Sequence, residues 1–336
     1  MRVVTERQLA IVLGALAGTP RVVVGGNFAT PWRALAVLDG TLARYRLFAL
    51  NAQAGMPNRE GVTFESPFVG PGMRGRSGLR YLPCRLSLVP ALLSEVLPPD
   101  VVLVQTSAPS HGTVSLGTEV NVLPAAIEAA RSIGGLVIAQ LNPLVPYTYG
   151  DSVLPCDAFD YAIEAEAPLA SPPERPVAET SVRIGDRVAA LIGDGATLQA
   201  GIGALQVDLL AQANATWVYE RVHSGLGGQT DFVVGALHSP GGQAIIALPS
   251  WHPKADVSTV VPRIDGPVTS FQHSFIVSEQ GVAVIWGNDA PGQAEQIINH
   301  VAHPSVRERL RAEAGSALAP RDRRRPFNFD FGLHGP

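Results

Sequence analysis

The sequence predicts an α/β fold with mostly parallel sheet, and three observations support this fold class. Short apolar, largely β-branched runs alternate along the chain with amphipathic stretches of helical period. The apolar runs are continuous and do not alternate with polar residues, which is typical of strands covered on both faces. The chain has 336 residues, 46% of them hydrophobic, which is enough for two such domains.

The expected elements follow one another along the chain as strands and helices. The apolar runs predict strands over residues 21–24, 46–50, 101–105, 136–140, 161–164, 217–222, 244–248, 268–270 and 275–278. The helical spacing of apolar residues predicts helices over residues 5–17, 31–38, 87–96, 120–132, 182–192, 203–213, 292–301 and 304–314.

A stretch without periodicity separates two of these strand–helix sets. Residues 167–180 contain four prolines, which favour an irregular linker. We therefore predict an N-terminal α/β domain over residues 1–170 and a C-terminal α/β domain over residues 181–318. Residues 319–336 have no strand or helix period, and their arginine cluster is expected to form a solvated or subunit-docking tail.

Composition excludes several classes of protein. The net charge is −4, from 25 basic and 29 acidic residues, so the basic stripe of a nucleic-acid binder is not expected. Lys254 is the only lysine, which leaves little scope for Schiff-base chemistry. Cys84 and Cys156 are too far apart in sequence for a disulfide framework or a zinc motif, and we expect no metal.

The first residues have some features of a secretory signal. Arg2 and Arg7 precede a short apolar run that ends in an Ala-x-Ala pattern. Glu6 interrupts the start, and the run precedes a stretch that resembles a buried strand, so we interpret it as a helix of the fold. No run reaches the length of a membrane span, and we expect a cytoplasmic protein without membrane contact.

Five segments rich in glycine and polar residues can carry chemistry. The first two follow predicted strands, at the edge where α/β folds bind ligands. Glycines leave backbone N–H groups accessible to an oxyanion, and a helix N-terminus favours an anion, although a glycine segment alone also fits an ordinary turn. The densest of them, Gly193–Ala204, lacks the order of a Walker A or dinucleotide loop. The segments are Ser107–Gly117, Gln140–Asp151, Gly193–Ala204, Ser224–Phe232 and Val277–Ala283.

Taken in order, these segments resemble the acetyl-CoA hydrolase/transferase family of class I CoA-transferases, which includes the 4-hydroxybutyrate CoA-transferases. The resemblance extends from about residue 20 to about residue 315. Where the family usually has Thr-Glu-Tyr-Gly-Val-Ala, this chain has Ser-Glu-Gln-Gly-Val-Ala. The matching motifs are His111–Gly117, Asn142–Asp151, Gly195–Ala204, Gly225–Phe232, Ser278–Ala283 and Ala302–Pro304.

The resemblance implies two related open α/β domains of the CoA-transferase fold with the active site between them. It also implies an acyl-CoA and a small carboxylic acid as substrates, with coenzyme A as a substrate and no resident cofactor. Family members use a glutamate as nucleophile on the thioester, forming an acyl-glutamyl anhydride and then a glutamyl-CoA thioester. If water intercepts an intermediate, the net reaction is hydrolysis.

One family feature is not found by this comparison. The family nucleophile lies in a segment like Asn-x-Ala-Leu-Glu-x-Asp-Leu-x-Gly-Gln, some way before the Gly-x-Gly-Gly loop. Here His223-Ser-Gly-Leu226 continues directly into Gly227-Gly-Gln, so two family motifs overlap at Ser224 and Gly225. We therefore expect an internal deletion between Gly203 and Gly227 that shortened the second domain and removed the nucleophile.

The candidate site residues follow from the resemblance and from residue chemistry. Glu279, Glu220 and His111 are the candidate catalytic groups, with His111 able to act as a base near neutral pH. An ion-paired Glu220 at a strand end and a hydrogen-bonded loop His111 are the structural alternatives. The candidate substrate- and CoA-binding residues are Gln199, Gly201, Gly203, Gly225, Gly227, Gly228 and Asn142.

Three functions remain open from the sequence. The chain can be a shortened CoA-transferase-like enzyme acting on acyl-CoA thioesters or related carboxylic acids, with relocated or repurposed catalytic groups. It can be a non-catalytic CoA-ester-binding protein or partner subunit, or a degenerate product without stable activity. Loss of core strands exposes apolar surface, so we expect a homodimer.

Overall fold

The computed structural model of the protein describes residues 1–174, 176–201, 205–218, 221–266, 268 and 272–318. The chain divides into two compact units. Unit 1 comprises Met1–Pro176 and Ala215–Phe232, and unit 2 comprises Val177–Asn214 and the chain from Val233 onward. The predicted domain ranges differ from this division, because no local pattern indicates that residues 215–232 join the N-terminal part.

The strands of the described residues are short, and most contain two to six residues. They are β1 (Arg2–Val3), β2 (Arg21–Val24), β3 (Tyr45–Phe48), β4 (Val62–Ser66), β5 (Leu79–Tyr81), β6 (Val101–Thr106), β7 (Thr113–Ser115), β8 (Leu136–Leu141), β9 (Val153–Pro155), β10 (Tyr161–Glu164), β11 (Gln206–Asp208), β12 (Ala213–Asn214), β13 (Trp217–Val218), β14 (Arg221–Val222), β15 (Ile245–Ala247), β16 (Trp251–His252), β17 (Val257–Ser258), β18 (Val260–Val261), β19 (Phe275–Val277) and β20 (Val282–Val284).

The helices alternate with these strands. They are α1 (Glu6–Gly14), α2 (Trp32–Thr41), α3 (Val89–Ala91), α4 (Leu123–Ser132), α5 (Glu179–Ala189), α6 (Gln229–His238), α7 (Ala290–Gln296) and α8 (Arg307–Leu318). Turns of 3-10 type cover Leu86–Leu88, Cys156–Ala158 and Pro304–Val306, and π-type turns cover Leu92–Val96 and Ile297–Val301. None of the described helices is both long and apolar enough to cross a membrane.

Unit 1 contains an eight-stranded sheet in the order β1-β10-β8-β6-β2-β3-β4-β5. Each neighbouring pair is parallel, for example β2 with β6, where Val23 lies opposite Val102. This sheet confirms the predicted α/β fold class. The edge strands β1 and β5, and β4 beside β5, were not predicted.

The sheet of unit 1 is covered on both faces, as continuous apolar strands require. Val22 and Val24 of β2 belong to one buried cluster, which also contains Leu9 and Leu35 of the helices α1 and α2. Val23 points to the opposite face and belongs to a second cluster with residues of α4. The helices therefore pack on two sides of one sheet.

The described strands of unit 2 form smaller sheets. They pair in the orders β12-β11-β18, β15-β19-β20 and β16-β17. One buried cluster lies among them and includes Val207, Ile276 and Ala283 of the strands together with Ile297 and Leu310 of the C-terminal helices.

The helix predicted over residues 203–213 is wrong, because β11 and β12 form an antiparallel hairpin there. Its turn is closed by Asp208, whose Oδ1 accepts hydrogen bonds from Leu210 N at 3.0 Å and Gln212 N at 2.9 Å. Ala211 has a φ of +57°, in the left-handed region that a helix cannot contain. The predicted strand over 217–222 contains two short strands, β13 and β14, which pair with each other.

Candidate functional site

The strand order of unit 1 defines a crevice by itself. From β2 the chain continues to β3 on one side, and from the neighbouring β6 it continues to β8 on the other side. In open parallel sheets, ligands bind at the carboxyl ends of the strands where the order reverses in this way. The residues that follow these two strands are 25–27 and 107–112, and they form the candidate site of unit 1.

The buried carboxyl group of Glu119 holds the loop after β2. Glu119 Oε1 accepts hydrogen bonds from Gly26 N at 2.8 Å and from Asn27 N at 3.1 Å. The side chain of Asn27 donates to the same oxygen and accepts from Asn51 Nδ2 at 2.7 Å. A Cβ at Gly26 would lie 2.1 Å from Leu50 O, so only glycine fits this loop. The loop is therefore rigid.

Sequence reasoning missed Glu119. It lies two residues after the His111–Gly117 motif, but a single carboxylate has no spacing signature that separates it from a surface residue. Among the described residues it has no ion-pair partner, and its carboxylate oxygens accept five hydrogen bonds from amide N–H groups. Its burial and its partners become visible only in the folded chain.

His111 lies in the tight turn after β6. Ser110 and Thr113 exchange two backbone hydrogen bonds of 2.8 and 2.9 Å, and His111 and Gly112 between them both have positive φ, at +50° and +79°. Positive φ at both central residues defines a type I′ turn, a common two-residue connection of β-hairpins. The imidazole is exposed and makes no hydrogen bond within the described ranges, so it is free to meet a ligand.

Asn142 is fully buried after β8. Its Nδ2 donates to Gln105 Oε1 at 3.2 Å and to Ala167 O at 2.7 Å, and its Oδ1 accepts from Leu144 N at 3.1 Å. The protein itself therefore uses the amide, and the structure gives Asn142 a role in holding two loops of unit 1.

The glycine loop 223–228 binds to the loops after β4 and β5 within unit 1. Val69 N donates to Ser224 O at 2.7 Å, and Leu86 N donates to Gly227 O at 2.8 Å. A Cβ at Gly225 would lie 2.2 Å from Pro67 O, so this close approach requires glycine. The N–H groups of Gly225, Gly227 and Gly228 are thus carried on a fixed loop.

Asp231 attaches the start of α6 to the same region. Ser87 donates to its carboxylate from N at 3.0 Å and from Oγ at 2.6 Å, and Arg85 Nε lies 3.6 Å from it. Gly228 allows the Phe232 ring to approach, with a Cβ at 228 placed 3.3 Å from that ring. These bonds fix the Gly-x-Gly-Gly-Gln-x-Asp-Phe motif at both ends.

In unit 2, Glu279 follows β19 and meets the residue that follows β15. Its Oε2 accepts from Ser250 N at 2.9 Å, its Oε1 accepts a short hydrogen bond from Ser250 Oγ, and Gln280 Nε2 lies 3.1 Å from Oε1. The carbonyl oxygen of Glu279 accepts from Arg183 Nη2 at 2.9 Å and from Arg187 Nη2 at 3.2 Å. The sequence predicted Glu279 but not Ser250.

Burial and hydrogen bonding act on Glu279 in opposite directions. Burial alone raises the pKa of the carboxyl group. The two hydrogen bonds from Ser250, together with those from its own backbone and from Gln280, lower the pKa by more than burial raises it. The net pKa lies below the ordinary value, and the group is ionised at neutral pH.

Gln199 and Gly201 lie in the exposed stretch after α5. No helix begins at this stretch in the described structure, and β11 follows instead, so the predicted helix N-terminus at this segment is wrong. The predicted residues Gly203 and Glu220 lie outside the described residues.

A separate cavity of about 420 Å³ lies in unit 2, between the residues before β19 and those after β20. None of the residues predicted from the sequence lines it. His273 does, and burial lowers the pKa of this imidazole to about 4. It is lined by Gln272, His273, Ile285, Trp286, Gly287, Asn288, Asp289 and Gln293.

Metal binding has no support in the parts of the chain that the structure describes. They contain no group of three or more His, Cys, Asp or Glu side chains placed to hold a metal ion. The two cysteines, Cys84 and Cys156, are free thiols.

Comparison with known sequences and structures adds a second line of evidence. The N-terminal domain profile of the acetyl-CoA hydrolase/transferase family matches residues 62–171, and its C-terminal domain profile matches residues 190–314. The 4-hydroxybutyrate coenzyme A transferase of Clostridium kluyveri is 29% identical, with 69% of this chain and 76% of that protein aligned.

Two further proteins extend this comparison. The succinyl-CoA:acetate/propanoyl-CoA:succinate CoA transferase of Fasciola hepatica is 25% identical, with 91% of this chain and 86% of that protein aligned. The crystal structure of RipA from Yersinia pestis superposes with a TM-score of 0.85 at 23% identity, covering 94% of this chain and 97% of that one. At this identity the likeness to RipA concerns the fold.

Proposed function

The chain belongs to the acetyl-CoA hydrolase/transferase family, an enzyme family of CoA-transferase or thioester hydrolase type, and we propose that it acts on acyl-CoA thioesters. Coenzyme A is then a substrate. Either a small carboxylic acid accepts the CoA, or water accepts the acyl group. The observation that carries this proposal is the match of both family domains, in order, to residues 62–171 and 190–314.

We further propose that the family's nucleophile segment is present and altered. Against the pattern Asn-x-Ala-Leu-Glu-x-Asp-Leu-x-Gly-Gln, residues 202–212 agree at five of eight specified positions, and Ile202 stands in place of the asparagine. Gln206 stands in place of the glutamate, and Ala211 in place of the glycine. This alignment replaces our expectation of a junction at Ser224 and Gly225, because it places the deletion before Leu205.

The hairpin geometry supports this alignment. Ala211 has a φ of +57°, a conformation that glycine adopts readily and other residues rarely do. A position built for glycine therefore lies where the family pattern has one. The alignment with the Clostridium kluyveri enzyme spans 333 positions and includes 69% of the 336 residues, about 230, so about 100 positions of that relative have no counterpart here.

Glutamine at position 206 changes the reaction that the site can perform. A neutral amide does not attack a thioester, so no acyl-glutamyl anhydride forms at this position. In the reaction we propose, the oxygen of water or of the acceptor carboxylate attacks the thioester carbon directly. The carbon–sulfur bond then breaks, and CoA leaves as the thiolate. With a carboxylate as nucleophile, a mixed anhydride of the two acids remains, and the CoA thiolate attacks its acceptor carbonyl to give the acceptor CoA thioester and the free carboxylate of the donor acid. With water as nucleophile, its proton passes to a base and then to the thiolate.

The remaining candidate residues receive roles in this proposal. The backbone N–H groups of Gly225, Gly227 and Gly228 stabilise the developing oxyanion. His111 is exposed and is the proposed base, whereas both carboxylate oxygens of Glu279 already accept hydrogen bonds, which suits it to orient Ser250. Glu220 stays a candidate catalytic group, and Gln199, Gly201 and Gly203 stay candidate CoA-binding residues.

The first test measures CoA release from a panel of acyl-CoA thioesters, with and without carboxylic acids, by chromatography. Release that exceeds the heat-denatured control is expected. Intact mass spectrometry after borohydride treatment should find no adduct on the unmodified chain, because no glutamyl thioester forms. An adduct on a glutamate would contradict direct attack, and absence of release from folded protein would contradict acyl-CoA turnover.

The second test restores the carboxylate with Gln206→Glu. If residue 206 occupies the nucleophile position, this variant should form a borohydride-sensitive CoA adduct that maps to residue 206, at a rate at least about tenfold above background. Gln206→Asn keeps an amide and is the matched control. A folded Gln206→Glu variant that forms no adduct, in a chain that still releases CoA, would refute the proposed alignment.

Gln206 also supports a second candidate function, which is binding of CoA esters without turnover. In that case the unmodified chain binds acyl-CoA in a calorimetric titration but releases no CoA. The CoA-release assay and this titration together therefore separate the enzyme from the binding protein.

A further inference from the structure

Two arginines on α5 converge on one carbonyl oxygen of unit 2. Arg183 and Arg187 are four residues apart on the same helix face, and each donates one hydrogen bond to Glu279 O, at 2.9 and 3.2 Å. Two like charges at this spacing repel each other. The shared carbonyl group is neutral, so it does not cancel the electrostatic repulsion between the two guanidinium groups.

No carboxylate balances this pair in the described part of unit 2. Neither arginine lies within ion-pair distance of an acidic side chain. Glu179 precedes Arg183 by one helical turn, the favoured spacing for an ion pair, yet Arg183 is directed to Glu279 O instead. The carboxylate of Glu279 is bound to Ser250 and Gln280.

A second observation points in the same direction. The Nε of Arg187 is shielded from solvent and has no hydrogen-bond partner among the residues that the structure describes. Buried N–H donors are almost always bonded, so an unbonded one indicates a partner that the chain does not supply. Because a guanidinium presents its donors as a planar fork, the fitting partner is an oxyanion.

We propose that Arg183 and Arg187 form a binding site for an oxyanion of the substrate. The site lies beside the carboxyl end of β19, the edge at which α/β sheets bind ligands. A phosphate of coenzyme A and the carboxylate of a small acid share the required chemistry. This inference rests on the proposed function, because acyl-CoA and a carboxylic acid are its substrates.

The test compares ligands in calorimetric titrations of the whole chain. The ligands are CoA, 3′-dephospho-CoA, inorganic pyrophosphate, acetate and succinate. The double variant Arg183→Gln/Arg187→Gln should lose at least about tenfold in affinity for one class, since charge-assisted hydrogen bonds are lost. Loss confined to CoA and pyrophosphate assigns the site to phosphate, and loss confined to the acids assigns it to carboxylate.

Controls separate this inference from the proposed function and from misfolding. Arg309→Gln removes an exposed arginine of α8 in the same unit and should leave every affinity within about twofold. If the double variant unfolds, the titrations are repeated with the single variant Arg183→Gln, because Arg183 is exposed and its replacement should not disturb the fold. If the unmodified chain binds none of the ligands, the proposed function fails. If it binds CoA or an acid and both arginine variants bind equally well, the oxyanion site is refuted.

Discussion

Unit 1 and unit 2 bury their strands in different ways. Unit 1 places eight parallel strands in one sheet between two apolar clusters. The described strands of unit 2 form sheets of two or three strands, with antiparallel pairs, around one cluster. A strand buried on both faces is determined by its own apolar run. Strands of two or three residues depend on the turns between them, which leave a weaker trace in the sequence.

The two units also differ in how they stabilise buried polar groups. Unit 1 buries the ion pair between Glu65 and Arg21, with Arg80 as a second partner of the same carboxylate. Unit 2 buries Glu279 against neutral donors and keeps His273 neutral. Unit 1 therefore contains a buried ion pair, besides Glu119 with its neutral amide donors, whereas Glu279 and His273 of unit 2 depend on their own protonation states.

The largest effect is expected from Glu65→Ala in unit 1. Glu65 is fully buried and accepts from Arg21 Nε at 2.8 Å, and Arg21 is itself buried. Removing the carboxylate leaves a buried cation without a partner, which should lower the free energy of unfolding by about 3–5 kcal/mol. Urea unfolding measures this change.

Arg80→Gln is the matched control, because Arg80 binds the other oxygen of Glu65 from an exposed position. This variant should lower the free energy of unfolding by less than about 1 kcal/mol. Hydrogen exchange of both variants then sharpens the comparison of the units. For Glu65→Ala, we expect faster exchange only in the strands of unit 1. Equally faster exchange in both units would refute the expectation that the two units unfold independently.

The next effect concerns pH and His273 in unit 2. The folded pKa of about 4 lies below the ordinary 6.5, so the unfolded chain binds a proton first as the pH falls. Stability from this group is complete above pH 6.5 and is lost as the pH falls from about 6.5 to about 4, by up to about 3 kcal/mol. Unfolding free energies at pH 7 and pH 4.5 measure the loss.

His273→Asn is the control for this pH dependence. The variant lacks the titrating group, so its unfolding free energy should change less between pH 7 and pH 4.5 than that of the unmodified chain. The same slope in both proteins would assign the acid sensitivity to other groups and would remove this contrast between the units.

The smallest effect is expected from Ser250→Ala. The change removes the hydroxyl group that donates to the ionised Glu279, and it should lower the free energy of unfolding by about 1–3 kcal/mol. Because the folded pKa of Glu279 is depressed, its contribution is present above the unfolded pKa and is lost as the pH falls through the folded pKa. The variant should raise the pKa of Glu279 in a carboxyl NMR titration, and an unchanged pKa would contradict the assigned cause.

Much of unit 1 could be predicted because its strands carry continuous apolar runs. Strands β2, β6 and β8 begin at the predicted residues, since Val, Ile and Leu fill most of the positions that two helix layers cover. The loops after β6 and β8 were also expected to hold polar residues. Which of those residues face a ligand was not predictable, and Asn142 faces the protein interior.

The hairpin at residues 206–214 shows what local sequence cannot decide. Its apolar and polar residues fit a helix by composition, but Asp208 closes a turn instead, and the pairing of Val207 with Val260 is fixed by a strand far along the chain. Ser250 and Glu119 were missed for a related reason. Each is an ordinary polar residue whose partner lies 29 and 93 residues away, respectively.

Residues 215–232 complete unit 1 although about 40 residues of unit 2 precede them in the chain. Val69 binds Ser224, and Ser87 binds Asp231, across more than 140 positions. During synthesis, unit 1 therefore cannot form these contacts until residue 232 has left the ribosome. A nascent chain halted at residue 176 would leave the loop after β4 uncovered, so folding of this protein is tied to the order and completeness of its translation.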